Sequence, residues 1–478
     1  MTQGHMDRLS ALDVSFLTNE SSSAHMHVGG VCIFEGPPMS YEDLLEHVRS
    51  RLHLVPRFRQ KLAYPPAPTG RPFWVDDPAF NLEYHVRHSA LPSPGSEEQL
   101  RNMAARVFSQ QLDRTKPLWE LWMVQGLTRK RFAFVTKTHH ALVDGVSGVD
   151  IATVLFDLKP VPEPAEPEDD WSPGPSPSGA QLLAKDAEGL IKAPVHLLRR
   201  IEQVVEHPRT AVGQVSEAAE ALGQVGWNFA NPAPKVPLNV EIGSHRRFEW
   251  VRADLARFKR IKSVLGGTVN DVVLAVVTGA LRRWLHARGV RTEGVELRAQ
   301  VPVSIRAEDE RGHLGNKLAV LRGPIPVYVE DPVKRLEICR RGMEGIKQSK
   351  QALGAEVITR FNDFAPPTLL AQAARINFST RLFNLVVTNV PGPQIPLYVL
   401  GRELEDIFPV GFLPPNQALF IAIMSYNGGI NFGLLADYDA IDDVAAIADG
   451  IEGSIAELTE AADEASSEAA ERSEPAPA

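Results

Sequence analysis

Three mostly apolar runs in the first 160 residues predict β-strands, and side chains alternate with a period of two along the last of them. The strands are Val28–Phe34, Leu118–Leu127 and Phe132–Thr138. Between them, apolar residues recur at intervals of three and four, which predicts helices at Tyr41–Arg51 and Glu97–Leu112. The first part of the chain therefore mixes strands with helices.

The stretch from residue 245 to residue 458 has the same mixed character. We predict strands at Arg247–Ala253, Leu297–Ile305, Lys317–Leu321, Phe383–Thr388, Leu419–Tyr426 and Ile430–Leu435. We predict helices at Leu255–Val264, Val269–Leu285, Pro332–Ala352 and Val444–Leu458. Asn427-Gly428-Gly429 separates the last two strands, and these residue types favour a tight hairpin turn.

Two segments lack the apolar pattern of a packed core. Pro160–Pro177 is rich in proline, glutamate and serine, which predicts a mobile surface linker, and Thr459–Ala478 is predicted to be a disordered tail. After the linker, Gln181–Val205 has apolar residues near helical spacing with basic residues among them. We interpret it as a helix packed on the protein's own core, and the alternative is a basic amphipathic helix on an anionic lipid surface.

The length of 478 residues predicts two or three domains. Both halves combine strands and helices, so the fold class is α/β or α+β. We divide the chain into an N-terminal lobe at residues 1–160, a linker and helical connector at 161–240, a C-terminal lobe at 241–460 and a disordered tail at 461–478.

Charge and cysteine content narrow the possible functions. The formal net charge of −9 argues against a general nucleic-acid binder, which needs excess basic residues. Two cysteines are too few for a disulfide framework or a cysteine metal cluster. We find no secretory signal and no run of 18 apolar residues. We therefore expect a cytoplasmic protein, and peripheral contact with a membrane surface stays open.

The strand Phe132–Thr138 runs directly into the pair His139-His140, and Asp144-Gly145 follows before a helical run. Polar groups at such a strand-to-helix turn reach a cleft. Imidazole titrates near neutral pH, so a histidine here suits general-base chemistry. Asp144 is available to orient the imidazole or shape the loop, and Gly145 permits a sharp turn or close approach to a ligand.

The alternative interpretation of the pair is structural or metal-binding histidines. Adjacent strand residues point to opposite faces, so His139 and His140 do not readily share one metal ion. One of them should face the cleft and the other should pack inward, and the spacing alone does not say which. We predict no metal.

Several blocks, in order, resemble the bacterial wax ester synthase/diacylglycerol acyltransferase family, of the actinobacterial triacylglycerol synthase type. The resemblance covers the chain from about Leu9 to about Leu458 and includes the complete histidine motif. The other matching blocks are Leu9–Leu17, Met26–Gly30, Pro117–Glu120, Asn270–Ala275, Val301–Arg306, Gly315–Asn316 and Asn389–Pro393.

This resemblance implies a fold of two chloramphenicol-acetyltransferase-like lobes, each a mixed sheet with helices, with a reaction channel between them. It implies that His140 is the general base, which moves an acyl group from acyl-CoA to a hydroxyl without an acyl-enzyme. It implies no cofactor besides acyl-CoA as co-substrate. His139, Asp144 and Gly145 complete the predicted catalytic motif, in which Asp144 organises the loop.

Further residues are predicted to contact substrate in the channel. Asn270 is our first candidate for the oxyanion donor, although a structural role for Asn270 and Asp271 at a helix start is equally compatible with the sequence. Arg306 could pair with Asp144 or a phosphate of CoA, and Ser304 could offer a polar contact. Trp119 is included as a channel residue, with burial in the core as the alternative.

The leading hypothesis is acyl transfer to diacylglycerol, giving triacylglycerol. Wax ester synthesis on a long-chain alcohol is the same chemistry with another acceptor, and acceptor choice depends on channel shape. Two competing hypotheses are a carrier-protein-dependent condensation-type acyltransferase and a non-catalytic lipid-binding paralogue. The sequence leaves acyl chain length and oligomeric state open.

Overall fold

The computed structural model describes residues 6–66, 71–143, 155–161, 171–187, 231–304, 318–348 and 379–473. Two six-stranded sheets and a small three-stranded sheet form its framework. Both large sheets combine parallel and antiparallel neighbours, and helices pack against each of them. This is the α/β architecture of two sheet-containing lobes that the sequence predicted.

The N-terminal half supplies the small sheet and most of the first large sheet. Its strands are β1 (Met6–Arg8), β2 (His27–Phe34), β3 (Gln60–Ala63), β4 (Phe73–Asp76), β5 (Val86–Ala90), β6 (Trp119–Gln125) and β7 (Phe132–His139). Its helices are α1 (Ala11–Asn19), α2 (Tyr41–Arg49), α3 (Leu82–His85), α4 (Glu97–Phe108) and α5 (His140–Val143).

The C-terminal half supplies the second large sheet, ordered β10-β9-β11-β14-β15-β8. The strands of the C-terminal half are β8 (Arg246–Asp254), β9 (Leu297–Ser304), β10 (Leu318–Ile325), β11 (Leu385–Pro391), β12 (Tyr398–Val399), β13 (Arg402–Val410), β14 (Leu419–Tyr426) and β15 (Gly429–Asp437). Its helices are α6 (Leu255–Leu265), α7 (Val269–Ala287), α8 (Pro332–Gln348) and α9 (Val444–Ser473). The predicted hairpin is confirmed as β14 and β15.

Two strands from the C-terminal half join the N-terminal sheet, whose order is β12-β13-β2-β7-β6-β5. Strand β13 pairs antiparallel with β2, with Val410 opposite Gly29 and Phe408 opposite Val31. The predicted lobe boundaries therefore need correction, because residues 398–410 belong to the sheet of the N-terminal lobe. This crossing places the segment after β13 close to the end of β7.

The predicted linker is partly attached to the small sheet. The Arg59 guanidinium lies 4.4 Å from the ring centroid of Trp171, and the Gly174 N–H donates to Asp76 Oδ2 at 3.1 Å. Residues 179–187 are helical, and Leu182 packs against Phe73 in a small apolar cluster. These contacts argue against a mobile linker at residues 171–174. Residues 162–170 and the remainder of the predicted connector helix lie outside the described residues.

The C-terminal segment is helical over most of the length for which disorder was predicted. Helix α9 continues to Ser473, Ala462 is fully buried, and Arg260 pairs with Asp463 at 2.6 Å. The predicted disorder is therefore wrong for residues 459–473. Helix α9 begins on the core, and its backbone hydrogen bonds continue through these residues. Residues 474–478 lie outside the described residues.

No single helix in the described parts of the chain has both the length and the apolar character needed to cross a membrane. Helices α6 and α7 pass that test as a pair by length and composition, with a bend of 100° between them.

A buried lysine ties strand β7 to the end of helix α4. Lys137 has no exposed surface, and its Nζ donates to the carbonyl oxygens of Val107 and Gln110 at 3.0 Å each. Its charge lies 3.3 Å from Glu120 Oε2. These partners offset the cost of burying an ammonium group, and the cation suits the negative end of the helix dipole. Strand β7 is therefore firmly held as it approaches the histidine pair.

Candidate active site

Strand β7 is buried at every position and ends at His139, which lies opposite His27 on β2. The next residue, His140, begins α5, and its backbone N–H donates to the Met26 carbonyl at 2.8 Å. The β2–β7 pairing therefore continues to the point where the chain turns from strand to helix. It sets where the backbone of His140 lies.

The two histidines differ in burial. His139 has no exposed surface, whereas His140 is half-buried. Strand alternation predicts one inward-facing and one outward-facing member of the pair, and the structure identifies His139 as the inward one. His140 is therefore the member whose imidazole has access to a bound molecule.

Aromatic rings from both halves of the chain surround His140. The Phe16 ring of α1 stacks on the imidazole with centroids 3.9 Å apart and an interplanar angle of 20°. The Phe412 ring, two residues beyond β13, meets it edge-on at 5.6 Å. These contacts restrict the imidazole's rotation, and they place His140 where α1 meets the crossover strands.

A hydrogen bond from the backbone defines the tautomer of His139. Its Nδ1 accepts the backbone N–H of Ala141 at 3.1 Å, so the ring proton lies on Nε2. That Nε2 lies 3.5 Å from Oε2 of Glu20, a carboxylate that sequence reasoning missed. The inward histidine thus joins Glu20 to the first turn of the helix that His140 begins.

Glu20 caps the C-terminus of α1, where its backbone N–H donates to the Phe16 carbonyl at 3.1 Å. Its carboxylate is buried, with Oε1 3.3 Å from His27 Nε2 and Oε2 accepting from Arg114 Nε at 2.7 Å. Glu20 lies in a short polar stretch with no motif around it. Tertiary packing alone brings it to the histidines.

Burial and charge determine the protonation of this cluster. Burial by itself raises the pKa of Glu20, but hydrogen bonds from His139 and His27 outweigh it and hold that pKa well below its usual range. Burial lowers the pKa of His139 and lowers that of His27 to about 3. At neutral pH both imidazoles are therefore neutral, and ionised Glu20 is balanced by Arg114.

Known families and relatives match the sequence over most of its length. A family model described as the wax ester synthase/diacylglycerol acyltransferase catalytic domain matches residues 9–273, and the family's C-terminal domain model matches residues 314–459. A putative diacylglycerol O-acyltransferase of Mycobacterium tuberculosis is 32% identical over 471 residues, covering 96% of this chain and 91% of that protein. The chain belongs to the wax ester synthase/diacylglycerol acyltransferase family. It is an acyltransferase.

Solved structures agree with this assignment. The wax ester synthase/diacylglycerol acyltransferase of Marinobacter aquaeolei VT8 matches the fold with a TM-score of 0.69 at 29% identity, covering 95% of this chain and 99% of that one. The first condensation domain of the calcium-dependent antibiotic synthetase matches with a TM-score of 0.56 at 15% identity, covering 96% of each chain. This second likeness shows the fold alone. The predicted two-lobed acyltransferase fold is confirmed.

The predicted pair Asn270 and Asp271 lies in the first turn of α7. Asp271 Oδ2 accepts the Thr268 backbone N–H and its hydroxyl at 2.8 Å each, and Thr268 Oγ1 accepts the Asp271 N–H in return. This capping box stabilises the helix start, so Asp271 has the structural role that the sequence left open. Asn270 is half-buried beside it, and its assignment as oxyanion donor stays a prediction.

Trp119 belongs to the core of this acyltransferase's N-terminal lobe. Its side chain is 1% exposed, stacks on His85 with centroids 4.7 Å apart, and donates its Nε1–H to the Phe58 carbonyl. These contacts favour the core alternative for Trp119, and its assignment to the channel stays a prediction. Ser304 is the last residue of β9. Asp144, Gly145 and Arg306 lie outside the described residues.

Within the described ranges, no group of three or more His, Cys, Asp or Glu side chains is arranged to hold a metal ion. His25, His27 and His139 lie near one another, with centroid distances of 5.6 Å and 5.8 Å along the series. Except for His27 Nδ1, their nitrogens lie next to backbone groups or Glu20, an arrangement that suits hydrogen bonding within the protein.

The acyltransferase should lose stability as the pH falls from about 6.5. Unfolded His27 binds a proton below its ordinary pKa of 6.5, whereas folded His27 stays neutral until about pH 3. Between these values the unfolded state binds more protons, so the stabilisation is complete above pH 6.5 and is lost as the pH falls. His85, whose pKa burial lowers to about 4, acts in the same direction.

Thermal unfolding measured near pH 7.5 and near pH 5 tests this expectation, with the lower melting temperature at the lower pH. His27→Gln removes one titrating group, so its melting temperature should differ less between the two conditions. An equal difference in the variant and the wild type would show that His27 does not contribute.

Proposed function

We propose that this chain transfers a long-chain acyl group from acyl-CoA to diacylglycerol, giving triacylglycerol, with His140 as the general base. The observation that carries the proposal is the position of His140. It is the half-buried member of the pair, at the end of β7, and both halves of the chain contact its ring.

The proposed reaction needs a single proton carrier. The neutral His140 imidazole takes the proton of the acceptor hydroxyl as that oxygen attacks the thioester carbonyl carbon. The tetrahedral intermediate collapses, the carbon–sulfur bond breaks, and the proton on His140 passes to the departing CoA sulfur. The ester and free CoA leave, and His140 is neutral again. The proposal includes acyl-CoA as co-substrate, no acyl-enzyme and no further cofactor.

Similarity to named relatives supports diacylglycerol as the acceptor. The relative from Mycobacterium tuberculosis is described as a putative diacylglycerol O-acyltransferase, and a second, 31% identical and covering 95% of this chain, is described as a probable one. The Marinobacter protein's description includes wax ester synthase. A long-chain alcohol is therefore the second candidate acceptor, attacked by the same chemistry.

The carrier-protein-dependent and non-catalytic hypotheses have less support. A carrier-protein-dependent reaction rests on the condensation-type fold alone, at 15% identity. A non-catalytic lipid-binding role gives no reason for a half-buried histidine held between two aromatic rings. Diacylglycerol and long-chain alcohols both reside in membranes or lipid droplets. We therefore place the reaction at such a surface, on the cytoplasmic side.

Purified full-length protein incubated with palmitoyl-CoA tests the function. Parallel reactions contain diacylglycerol, hexadecanol or no acceptor, and thiol release and lipid products are followed together. We expect triacylglycerol in the first reaction, with thiol release that depends on the acceptor. Wax ester in the second reaction and none in the first would reassign the acceptor. No ester from folded protein with either acceptor would reject the proposal.

A further inference from the structure

The structure assigns Glu20 as a positioning residue for His140 that acts through His139, an inference that rests on the proposed function of His140. The carboxylate does not reach substrate in this assignment. It holds His139 in one tautomer and one orientation, and His139 in turn holds the first turn of α5.

Glu20 is itself held in place from several sides. Arg114 donates from Nε to Glu20 Oε2 at 2.7 Å and from Nη2 to the Leu17 carbonyl at 2.8 Å, so one guanidinium binds both the carboxylate and the end of α1. The carboxylate is 3% exposed and lies 3.3 Å from His27 Nε2. A buried charge with this many partners has little freedom to move.

The tautomer of His139 depends on Glu20. Nε2 faces the carboxylate at 3.5 Å, and an ionised carboxylate only accepts hydrogen bonds, so the proton belongs on Nε2. Nδ1 then has a lone pair for the Ala141 N–H at 3.1 Å. In the other tautomer, the proton on His139 Nδ1 would point at the proton of the Ala141 N–H. The Ala141 N–H, directly after His140, would lose its hydrogen-bond acceptor.

The same helix that presents Glu20 also presents the ring that stacks on His140. Phe16 lies four residues before Glu20 in α1, and its carbonyl accepts the Glu20 N–H at 3.1 Å. A disturbance of Glu20 therefore reaches His140 from two directions, through Ala141 and through the stacked Phe16 ring. Chemistry that requires aligned reacting atoms is sensitive to such displacement.

Glu20→Gln keeps the shape of the side chain and removes its charge. The amide can donate as well as accept, so it no longer enforces the Nε2–H tautomer of His139. We expect kcat to fall about 100-fold with KM changed less than about twofold, because misplacement of a reacting group by about 1 Å has an effect of that size. Glu20→Asp retains the charge, so its kcat should lie between those of Glu20→Gln and the wild type.

A matched control separates positioning from stability. Asp77 is also buried and ion-paired, to Lys61 at 2.8 Å, and its carboxylate accepts the Ala79 N–H; these partners differ from those of Glu20. Asp77→Asn should lower the melting temperature and leave kcat near the wild-type value. If Glu20→Gln loses activity only in proportion to its folded fraction, as Asp77→Asn would, the assignment is wrong.

A spectroscopic measurement on the wild type avoids any dependence on the variants folding. The ¹⁵N chemical shifts of His139, assigned by comparison with His139→Gln, should show a neutral imidazole with the proton on Nε2. A proton on Nδ1 would overturn the inference. An inactive His140→Ala together with a fully active Glu20→Gln would reject this inference alone, whereas an active His140→Ala would reject the proposed function itself.

Discussion

Replacing His140 by alanine should lower the rate of acyl transfer by about 1,000-fold, within the range that general acid–base groups contribute. His139 cannot take its place, because it is fully buried and its two nitrogens face the Ala141 N–H and Glu20. The fold should survive, since the His140 backbone N–H still reaches the Met26 carbonyl. Acceptor-dependent thiol release from palmitoyl-CoA measures the rate, and circular dichroism checks the fold.

Two further histidine variants serve as controls for His140→Ala. His245 is exposed at the start of the second lobe, and His245→Ala should leave the rate unchanged. His139→Ala should reduce activity less than His140→Ala and should lower stability more, because it leaves the Glu20 carboxylate without one of its partners. Near-full turnover by folded His140→Ala protein would show that the proposed mechanism is wrong.

Replacing Gly29 by alanine should reduce the free energy of unfolding by about 3 kcal/mol, the upper part of the range for overpacked sites. A Cβ at this position would lie 1.8 Å from the Thr136 carbonyl oxygen, a backbone atom of β7 that cannot rotate away. Strands β2 and β7 would have to move apart at Gly29, which lies two residues along β2 from the His27–His139 pair. Urea unfolding followed by tryptophan fluorescence measures the loss, and activity should fall with it.

The neighbouring glycine provides the control for the same strand. A Cβ on Gly30 would meet its nearest atom, the Phe408 carbonyl oxygen, at 3.3 Å, which small shifts can relieve. Gly30→Ala should therefore cost roughly 1 kcal/mol or less, as most tolerated substitutions do. Equal losses for the two variants would indicate that the β2–β7 separation is not what makes Gly29 necessary.

Local pattern predicted many of the regular elements and missed others, among them α1, β5 and β13. Strand β7 and helix α4 were predicted because their side chains repeat with periods of two and of three to four, and the structure contains both elements. The hairpin β14–β15 followed from its Asn-Gly-Gly turn. The errors occurred where pattern is weak, as in the tail, whose alanine- and glutamate-rich composition suits a helix as well as disorder.

The candidate site was predicted in part. The position of His140 after β7 followed from the local sequence, and strand alternation required its neighbour His139 to point the other way. Glu20 was not predicted, because it is more than 100 residues away in sequence and no spacing rule connects it to the pair. The sequence left both a channel and a core position open for Trp119, because an indole in a strand has the same pattern in either place.

The sequence by itself determined the mixed α/β class, the strand-to-helix turn at His139-His140 and, through its ordered motifs, the family, whose resemblance implied the two lobes. These depend on periodicity and on neighbours along the chain, which the sequence states directly. Only the tertiary structure decided that β12 and β13 cross to the N-terminal sheet, that Phe412 thereby meets His140, and that Glu20 holds His139. These contacts join distant parts of the chain, and the burial that stabilises them arises only once both lobes have packed.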